Sequence, residues 1–219
     1  MLEYRKFKLT TLTKLLGTAP GNPNIYKEFI QSKAPDPEDA GDELETCPHQ
    51  HQVDPEDQWA RAITAFHRHP EGDGLVMYDY QIMGFLKNAA NVLKDNLNGS
   101  KGIKNCRSKV NQFVTVFPRR VLIADAPDGI EQRSLRAQTQ QGPRVSLVAS
   151  EYLEAPVEFE VIVGLINNKQ GVTWDVLNTL WKYGEVRAGL LQNRNGGYGK
   201  FHTDDLGAID PGEEKLPVM

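Results

Sequence analysis

Apolar residues recur along this chain with two different periods, and these periods predict its helices and strands. Spacing of three to four positions predicts one helix from Tyr78 to Asn98 and a second that begins after Thr173, a suitable N-cap residue. Alternation of apolar and polar positions predicts strands elsewhere. The predicted strands are residues 4–16, 112–118, 121–124, 144–150, 157–165 and 198–202.

The order of these elements predicts an α+β fold. An antiparallel sheet with two helices on one face buries both apolar helix stripes at once, in a ferredoxin-like or RRM-like arrangement. The basic residues 101–109 and the Arg- and Gln-rich residues 125–141 are expected to connect the regular elements.

Composition divides the chain into a core, an insertion and a tail. We expect residues 1–32 and 75–203 to form the core. Residues 33–74 are acidic, contain few apolar positions and carry four of the five histidines, which is typical of a large surface insertion. Residues 204–219 are expected to form a loose acidic tail.

Charge is distributed unevenly, although the formal net charge is only -4. Residues 35–74 hold eleven acids and two arginines, whereas residues 101–144 hold nine basic residues and three acids. A pI near 5.8 argues against a protein that coats nucleic acid nonspecifically. A basic central segment still favours a localised groove for a polyanion, unless opposite charges pair across the surface.

Cysteine usage and hydropathy indicate the compartment. The chain has two cysteines, Cys47 and Cys106, too few for a disulfide framework. No apolar run approaches the roughly 20 residues of a membrane span, and the first residues lack the apolar core of a signal peptide. We expect a cytoplasmic protein with no membrane partner.

The stretch with the clearest functional pattern is residues 181–201, WKYGEVRAGLLQNRNGGYGKF. A helix is expected to end at Gly184 and a loop rich in glycine, arginine and lysine to follow it. Glycines allow close backbone approach and positive φ, and the cations supply charge for an anion such as a phosphate. A turn that merely reverses the chain is the alternative interpretation.

Three segments together resemble the RAMP superfamily of CRISPR-associated RNA-binding proteins. LLQNRNGGYGKF resembles its C-terminal glycine-rich motif, and VMYDYQIMGFLKNAANVLK resembles the segment that opens its first helix. RAQTQQGPRVSLVASEYLEAPVEFEVIVGL is similar to its basic loop and the following strand pair. The resemblance covers about two thirds of the chain and omits residues 33–74 and the tail. In the first-helix motif only Gly84 persists, with Lys87 one turn further on.

The resemblance implies RNA binding by a subunit that assembles along a guide RNA. The chain is then a backbone component of a CRISPR effector, or a stand-alone relative such as one encoded by a phage. Its expected partners are further copies of itself or other CRISPR complex subunits, and it is expected to require no cofactor. The residues expected to bind RNA are Arg187, Gly189, Arg194, Gly196, Gly197, Tyr198, Gly199, Lys200, Arg133, Arg136, Arg144 and Lys87.

The insertion contains a second set of residues with possible chemistry. Cysteine and histidine side chains are the ligands that zinc prefers, and a zinc ion would order a segment that is poor in apolar residues. The spacings C-x-H-x-H and H-x-H differ from those of ordinary structural zinc sites, so a polar loop with incidental histidines is the alternative. The candidate ligands are Cys47, His49, His51, His67 and His69.

Two other functions stay open at this point. RNA-cutting members of the resembled superfamily use an aspartate in the loop after the first strand, and no aspartate here can be matched to it. A metal-dependent ribonuclease of the same fold is one alternative, and a mimic that inhibits CRISPR backbone subunits without binding RNA is the other. The sequence contains no P-loop, G-x-S-x-G, H-E-x-x-H or C-x-x-C motif that would favour another chemistry.

Overall fold

The computed structural model describes residues 2–20, 25, 26, 28, 63–70, 74–97, 102–139, 142–212 and 216. It divides the chain into two compact units. Unit one consists of Met1–Lys14, Met77–Ile123 and Ala155–Met219, and unit two of Leu15–Val76 and Ala124–Glu154. Each unit therefore combines segments that are distant in sequence.

The structure gives the bounds of twelve strands and three α-helices. The strands are β1 (Leu2–Thr11), β2 (Leu15–Leu16), β3 (Ala19–Pro20), β4 (Ile63–Ala65), β5 (His67–Arg68), β6 (Leu75–Tyr78), β7 (Val114–Phe117), β8 (Arg120–Ala124), β9 (Gly129–Thr139), β10 (Gly142–Leu153), β11 (Glu158–Ile166) and β12 (Phe201–Ala208). The helices are α1 (Asp79–Leu93), α2 (Cys106–Phe113) and α3 (Trp174–Val186).

Unit one is built on a four-stranded sheet in the order β12-β1-β11-β7. All three pairings are antiparallel, and Phe7 of β1 lies opposite Val161 of β11. Alternation of apolar and charged residues on β1 explains this pairing, because it gives the sheet one face for the core and one for solvent. The α+β class predicted from the sequence is confirmed.

Four aromatic side chains join the helices to one face of this sheet. Phe7 of β1 packs on Trp181 of α3 with ring centroids 5.7 Å apart. Phe85 of α1 packs on Trp181 at 5.8 Å and on Phe201 of β12 at 5.0 Å. All four residues are buried. Since each ring contributes large apolar area, this cluster fixes α1 and α3 on the same face.

Local signals in the sequence define where the helices begin. The Thr173 hydroxyl accepts a hydrogen bond from the Val176 N–H at 3.4 Å, so the predicted N-cap of α3 is confirmed. At the start of α1, the Gln81 side chain accepts a hydrogen bond from the Tyr78 N–H at 2.8 Å. In the described part of the chain, no helix has both the length and the hydropathy of a membrane span.

Three expectations from the sequence are wrong, two about connecting segments and one about the acidic tail. The basic connector 101–109 contains the start of helix α2, in which Cys106 and Val110 are buried. Residues 125–141 contain strand β9, which pairs with β10 from Gly129 to Thr139. Backbone pairing with β10 orders strand β9, whose sequence has no regular apolar alternation.

The third correction concerns the acidic tail. Strand β12 continues from Phe201 to Ala208, and Asp204 lies opposite Lys8 of β1. The first five residues of the predicted tail are therefore part of the sheet. Backbone pairing with β1 orders them although most of their side chains are exposed.

Unit two is organised around the hairpin of β9 and β10. Strand β10 also pairs antiparallel with β2 and in parallel with β4. The side chain of Glu151 on β10 is buried and accepts hydrogen bonds from the Phe66 N–H at 2.8 Å and from Arg68 Nη2 at 2.6 Å. These contacts attach residues 63–68, which belong to the predicted insertion, to the sheet of unit two. Most of residues 33–74 lie outside the described residues.

Replacing Gly84 of α1 by alanine is expected to stabilise the protein. A Cβ at this position would have no heavy atom within 4 Å. Alanine costs about 0.5–1 kcal/mol less than glycine inside a helix, because it has less backbone freedom to lose. Urea unfolding should therefore show a higher midpoint with an unchanged slope, and a lower midpoint would contradict the open environment.

Candidate nucleic-acid interface

The glycine loop consists of residues 187–200, between the end of α3 and the start of β12. The helix is closed by a hydrogen bond from the Arg187 N–H to the Tyr183 carbonyl at 3.0 Å. The chain then turns through a short 3-10 helix, Arg194–Gly196. Gly197 and Gly199 have φ angles of 96° and 66°, a conformation that glycine adopts at little cost.

Two glycines of the glycine loop bring its own ends together. A Cβ on Gly189 would lie 2.2 Å from the carbonyl carbon of Gly199. The Leu190 N–H donates a hydrogen bond to the Gly199 carbonyl at 2.9 Å. Because backbone contacts backbone here, Gly189 and Gly199 serve chain reversal, as the alternative interpretation of the sequence held.

Gly196 and Gly197 have different surroundings. A Cβ on Gly196 would lie 2.7 Å from the side-chain amide of Asn193, whereas one on Gly197 would have no neighbour within 4 Å. Of the four glycines predicted to contact RNA, Gly197 is the one whose missing side chain leaves open space for a ligand.

Residues 12–14, which follow β1, clamp the glycine loop. Thr13 Oγ1 donates a hydrogen bond to the Gly197 carbonyl and accepts one from the Lys200 N–H, both at 2.9 Å. The Gly199 N–H donates to the Lys14 carbonyl at 2.8 Å, and the Leu12 N–H donates to the Lys200 carbonyl at 2.7 Å. The amides of Gly199 and Lys200 are thus engaged within the protein, so neither of these two amides is available to an anion.

Thr13 is a residue of the candidate site that could not be identified from the sequence. Its contact with Gly197 joins positions 184 residues apart, and nothing in the stretch TTLTK distinguishes Thr13 from its neighbours. The hydroxyl acts as donor and acceptor at once, and that pair of bonds depends on tertiary structure.

Replacing Thr13 by valine is expected to loosen the glycine loop. Valine keeps the shape of threonine but leaves the Gly197 carbonyl and the Lys200 amide without their partner. The free energy of unfolding should fall by about 1–2 kcal/mol. Hydrogen exchange of the Lys200 amide should accelerate by more than that of amides in β11. Equal exchange at both sites would contradict the clamp.

The basic side chains of the glycine loop are available to a ligand. Arg187 is exposed, and Arg194, Tyr198 and Lys200 are partly exposed. Within the described residues, none of the three cations Arg187, Arg194 and Lys200 forms an ion pair. The positive charge of this loop is therefore not neutralised by neighbouring carboxylates.

The solvent face of the sheet in unit one differs in this respect. Lys6 and Lys8 of β1 lie 2.8 Å and 2.9 Å from the carboxylates of Glu160 and Glu158 on β11. The hydrogen bond from Lys8 to Glu158 raises the pKa of Lys8. Since both cations are paired, this face offers a polyanion less attraction than the glycine loop does.

The second predicted basic wall belongs to unit two. Arg133 of β9 donates through Nη2 to Ser150 Oγ at 3.0 Å, and Ser150 Oγ lies 2.7 Å from Thr64 Oγ1. The side chains of Arg136 and Arg144 lie outside the described residues. Arg133 is thus part of a polar network that joins β4, β9 and β10.

Lys87 lies apart from the glycine loop within unit one. It follows Phe85 by two residues and so lies about 200° around α1 from it. Phe85 packs on Phe201, which follows the loop, whereas Lys87 Nζ donates to Asn111 Oδ1 of α2 at 3.2 Å. The structure therefore assigns Lys87 to a different surface.

Of the predicted zinc ligands, His67 and His69 are described. His67 is buried, and its Nδ1 lies 3.2 Å from the Tyr26 hydroxyl, within hydrogen-bond distance. Cys47, His49 and His51 lie outside the described residues. Among the residues that the structure describes, no group of three His, Cys, Asp or Glu side chains is arranged to hold a metal ion.

Comparison with known proteins gives structural neighbours only. No family model matches the chain, and no curated protein matches it. One similar solved structure is a chain of "Cryo-EM structure of the Type III-B Cmr-beta bound to cognate target RNA", with 10% identity and a TM-score of 0.45. The match covers 95% of this chain and 61% of that one. Another is a chain of "Type IV-B CRISPR Complex", with 10% identity, a TM-score of 0.43 and coverage of 98% and 95%.

Proposed function

We propose that this protein binds single-stranded RNA through its glycine loop. The observation that carries the proposal is the presence of three cations, Arg187, Arg194 and Lys200, without carboxylate partners among the described residues. They lie on a backbone that its own hydrogen bonds hold in place. A preorganised set of cations loses little freedom when it binds phosphates.

The contacts would come from side chains. Arg194 and Lys200 would bind phosphate oxygens, and the open side of Gly197 would let the sugar–phosphate strand approach closely. Tyr198 is partly exposed and could offer its ring to a base. Recognition of this kind depends on charge and stacking and is tolerant of RNA sequence.

The likeness of LLQNRNGGYGKF to the glycine-rich motif of the RAMP superfamily supports RNA as the nucleic acid. On the same ground we propose that the protein assembles along a guide RNA, as a CRISPR effector backbone subunit or a stand-alone relative. The antiparallel order β12-β1-β11-β7, with α1 and α3 on one face, supports the ferredoxin-like interpretation that this family implies.

Binding without cleavage is the proposed activity. The residues after β1 that contact the glycine loop are Leu12, Thr13 and Lys14, and none of them carries a carboxylate. A metal-dependent ribonuclease needs acidic ligands beside the bound phosphate. The composition of this clamp therefore supports an RNA-binding role.

Purified protein and a fluorescein-labelled single-stranded RNA test the proposal. Fluorescence anisotropy should show saturable binding at low salt. The logarithm of affinity should fall with the logarithm of salt concentration by about 0.7 for each phosphate contacted. Size-exclusion chromatography with absorbance at 260 and 280 nm, before and after RNase, should reveal RNA that copurifies.

Three results would contradict the proposal in different ways. Absence of saturable binding at low salt would remove RNA as a ligand. Shortening of the RNA by the protein only when Mg²⁺ is present would favour the ribonuclease. Failure to bind RNA, combined with tight binding to a CRISPR backbone subunit, would favour an inhibitory mimic.

A further inference from the structure

A second polar surface in unit one lies between α1 and α2, away from the glycine loop. Here Lys87 of α1 and a face of α2 line an open crevice of about 390 Å³. The residues that line it are Lys87, Arg107, Ser108, Asn111 and Gln112. Each of these five side chains can donate a hydrogen bond, and none carries a carboxylate.

Helix α2 and the residues on either side of it contain no acid. Between Asn96 and Ala124 there is no aspartate or glutamate, whereas there are six lysines and arginines. On α2 itself, Arg107, Ser108, Asn111 and Gln112 are exposed. Residues 96–124 therefore contribute only positive formal charges to this surface.

The cations of the stretch are not all free to bind a ligand. Lys109 Nζ donates to the Gln170 carbonyl at 3.1 Å, and Arg119 pairs with Asp79. Arg107 makes no ion pair or side-chain hydrogen bond within the described residues. Lys87 is held by Asn111 through a neutral acceptor, so its charge is not neutralised. Arg107 and Lys87 thus supply two positive charges to one crevice.

We propose that the crevice between α1 and α2 binds a phosphate group. Two cations and three neutral donors suit a tetrahedral anion with several acceptor oxygens better than a carboxylate with two. The phosphate belongs either to an RNA backbone or to a free phosphate-bearing molecule. In the first case the inference rests on the proposed function, and in the second it stands without it.

Two titrations of the 219-residue chain distinguish these two sources of phosphate. Binding of inorganic phosphate is measured by the changes in the amide chemical shifts of Ser108 to Gln112 in ¹⁵N–¹H NMR spectra. Binding of labelled single-stranded RNA is measured by fluorescence anisotropy. The variants are Arg107→Ala and Lys87→Gln. The control is Lys182→Ala, which removes an exposed cation of α3 outside the crevice. Thermal unfolding checks that each variant folds.

We expect phosphate to produce saturable shifts confined to α2 and the neighbouring turn of α1. Its affinity should fall about tenfold in Arg107→Ala and in Lys87→Gln, the equivalent of one charge-assisted hydrogen bond, and should stay unchanged in Lys182→Ala. If RNA affinity falls with it, the ligand is an RNA phosphate. If only inorganic phosphate is affected, the ligand is a free phosphate-bearing molecule.

The proposal is overturned if neither titration distinguishes the crevice variants from Lys182→Ala. That result is separable from a failure of the glycine loop. If the wild-type protein does not bind RNA, the RNA titration gives no signal to compare. The phosphate titration would still decide whether the crevice binds phosphate.

Discussion

Replacing Gly189 by alanine is expected to lower the free energy of unfolding by about 3 kcal/mol, the upper part of the range for overpacked sites. The new methyl group would lie 2.2 Å from both the Gly199 carbonyl carbon and the Tyr198 carbonyl oxygen. These are backbone atoms, so no change of side-chain rotamer relieves the overlap. The loop ends must therefore separate. This separation also breaks the hydrogen bond that the Leu190 N–H donates to the Gly199 carbonyl.

Urea unfolding of Gly189→Ala beside Gly84→Ala measures this effect against a matched change. Both variants add one methyl group at a glycine, yet Gly84 has no heavy atom near its missing Cβ. The two variants should shift the unfolding midpoint in opposite directions. A Gly189→Ala protein as stable as the wild type would mean that the loop ends do not meet.

The loss of stability in Gly189→Ala should be accompanied by weaker RNA binding. The loop carries Arg194 and Lys200, whose positions depend on the closed backbone. The Thr13→Val variant leaves the loop ends in contact and should weaken RNA binding less. If Thr13→Val weakened RNA binding more than Gly189→Ala, RNA binding would not depend on closure of the loop.

Regular periodicity in the sequence was sufficient to predict α1, α3 and the strands β1, β7 and β11 of unit one. Phe85 and Trp181 lie at helical spacing within their stripes, and Thr173 marks the start of α3 through a local hydrogen bond. Such signals depend on neighbours within about one helical turn, so they can be recognised without tertiary structure.

Elements stabilised by distant partners could not be predicted in the same way. Strand β9 has no regular apolar pattern, and its ordering depends on its backbone pairing with β10. Helix α2 is short and basic, and the burial of Cys106 and Val110 anchors it to the core. Burial also raises the pKa of the Cys106 thiol, which favours its protonated form.

The glycine loop was identified from the sequence, and all four of its glycines were expected to contact RNA. The structure shows that these glycines have different surroundings. Gly189 and Gly199 meet each other, and Gly197 faces open space. No local pattern distinguishes a glycine that contacts the protein backbone from one that could contact a ligand. The distinction requires knowledge of the Thr13 clamp, which comes from the other end of the chain.

The double variant Arg194→Ala/Lys200→Ala is expected to bind single-stranded RNA at least about tenfold more weakly at low salt. Each side chain is expected to contact one phosphate, and a hydrogen bond to a charged group contributes about 1.5–3 kcal/mol. The slope of log affinity against log salt should fall by about 1.4, because about 0.7 is lost for each phosphate contact. Anisotropy titrations at four or more salt concentrations measure both quantities.

The matched control is Lys6→Ala/Lys8→Ala, which also removes two positive charges from unit one. These lysines are already paired with Glu160 and Glu158, so their loss should leave the salt slope unchanged. If RNA attraction were a matter of net charge alone, both double variants would weaken binding equally. Equal weakening would therefore contradict a localised site, whereas a reduced slope in the glycine-loop variant alone requires phosphates to lie beside Arg194 and Lys200.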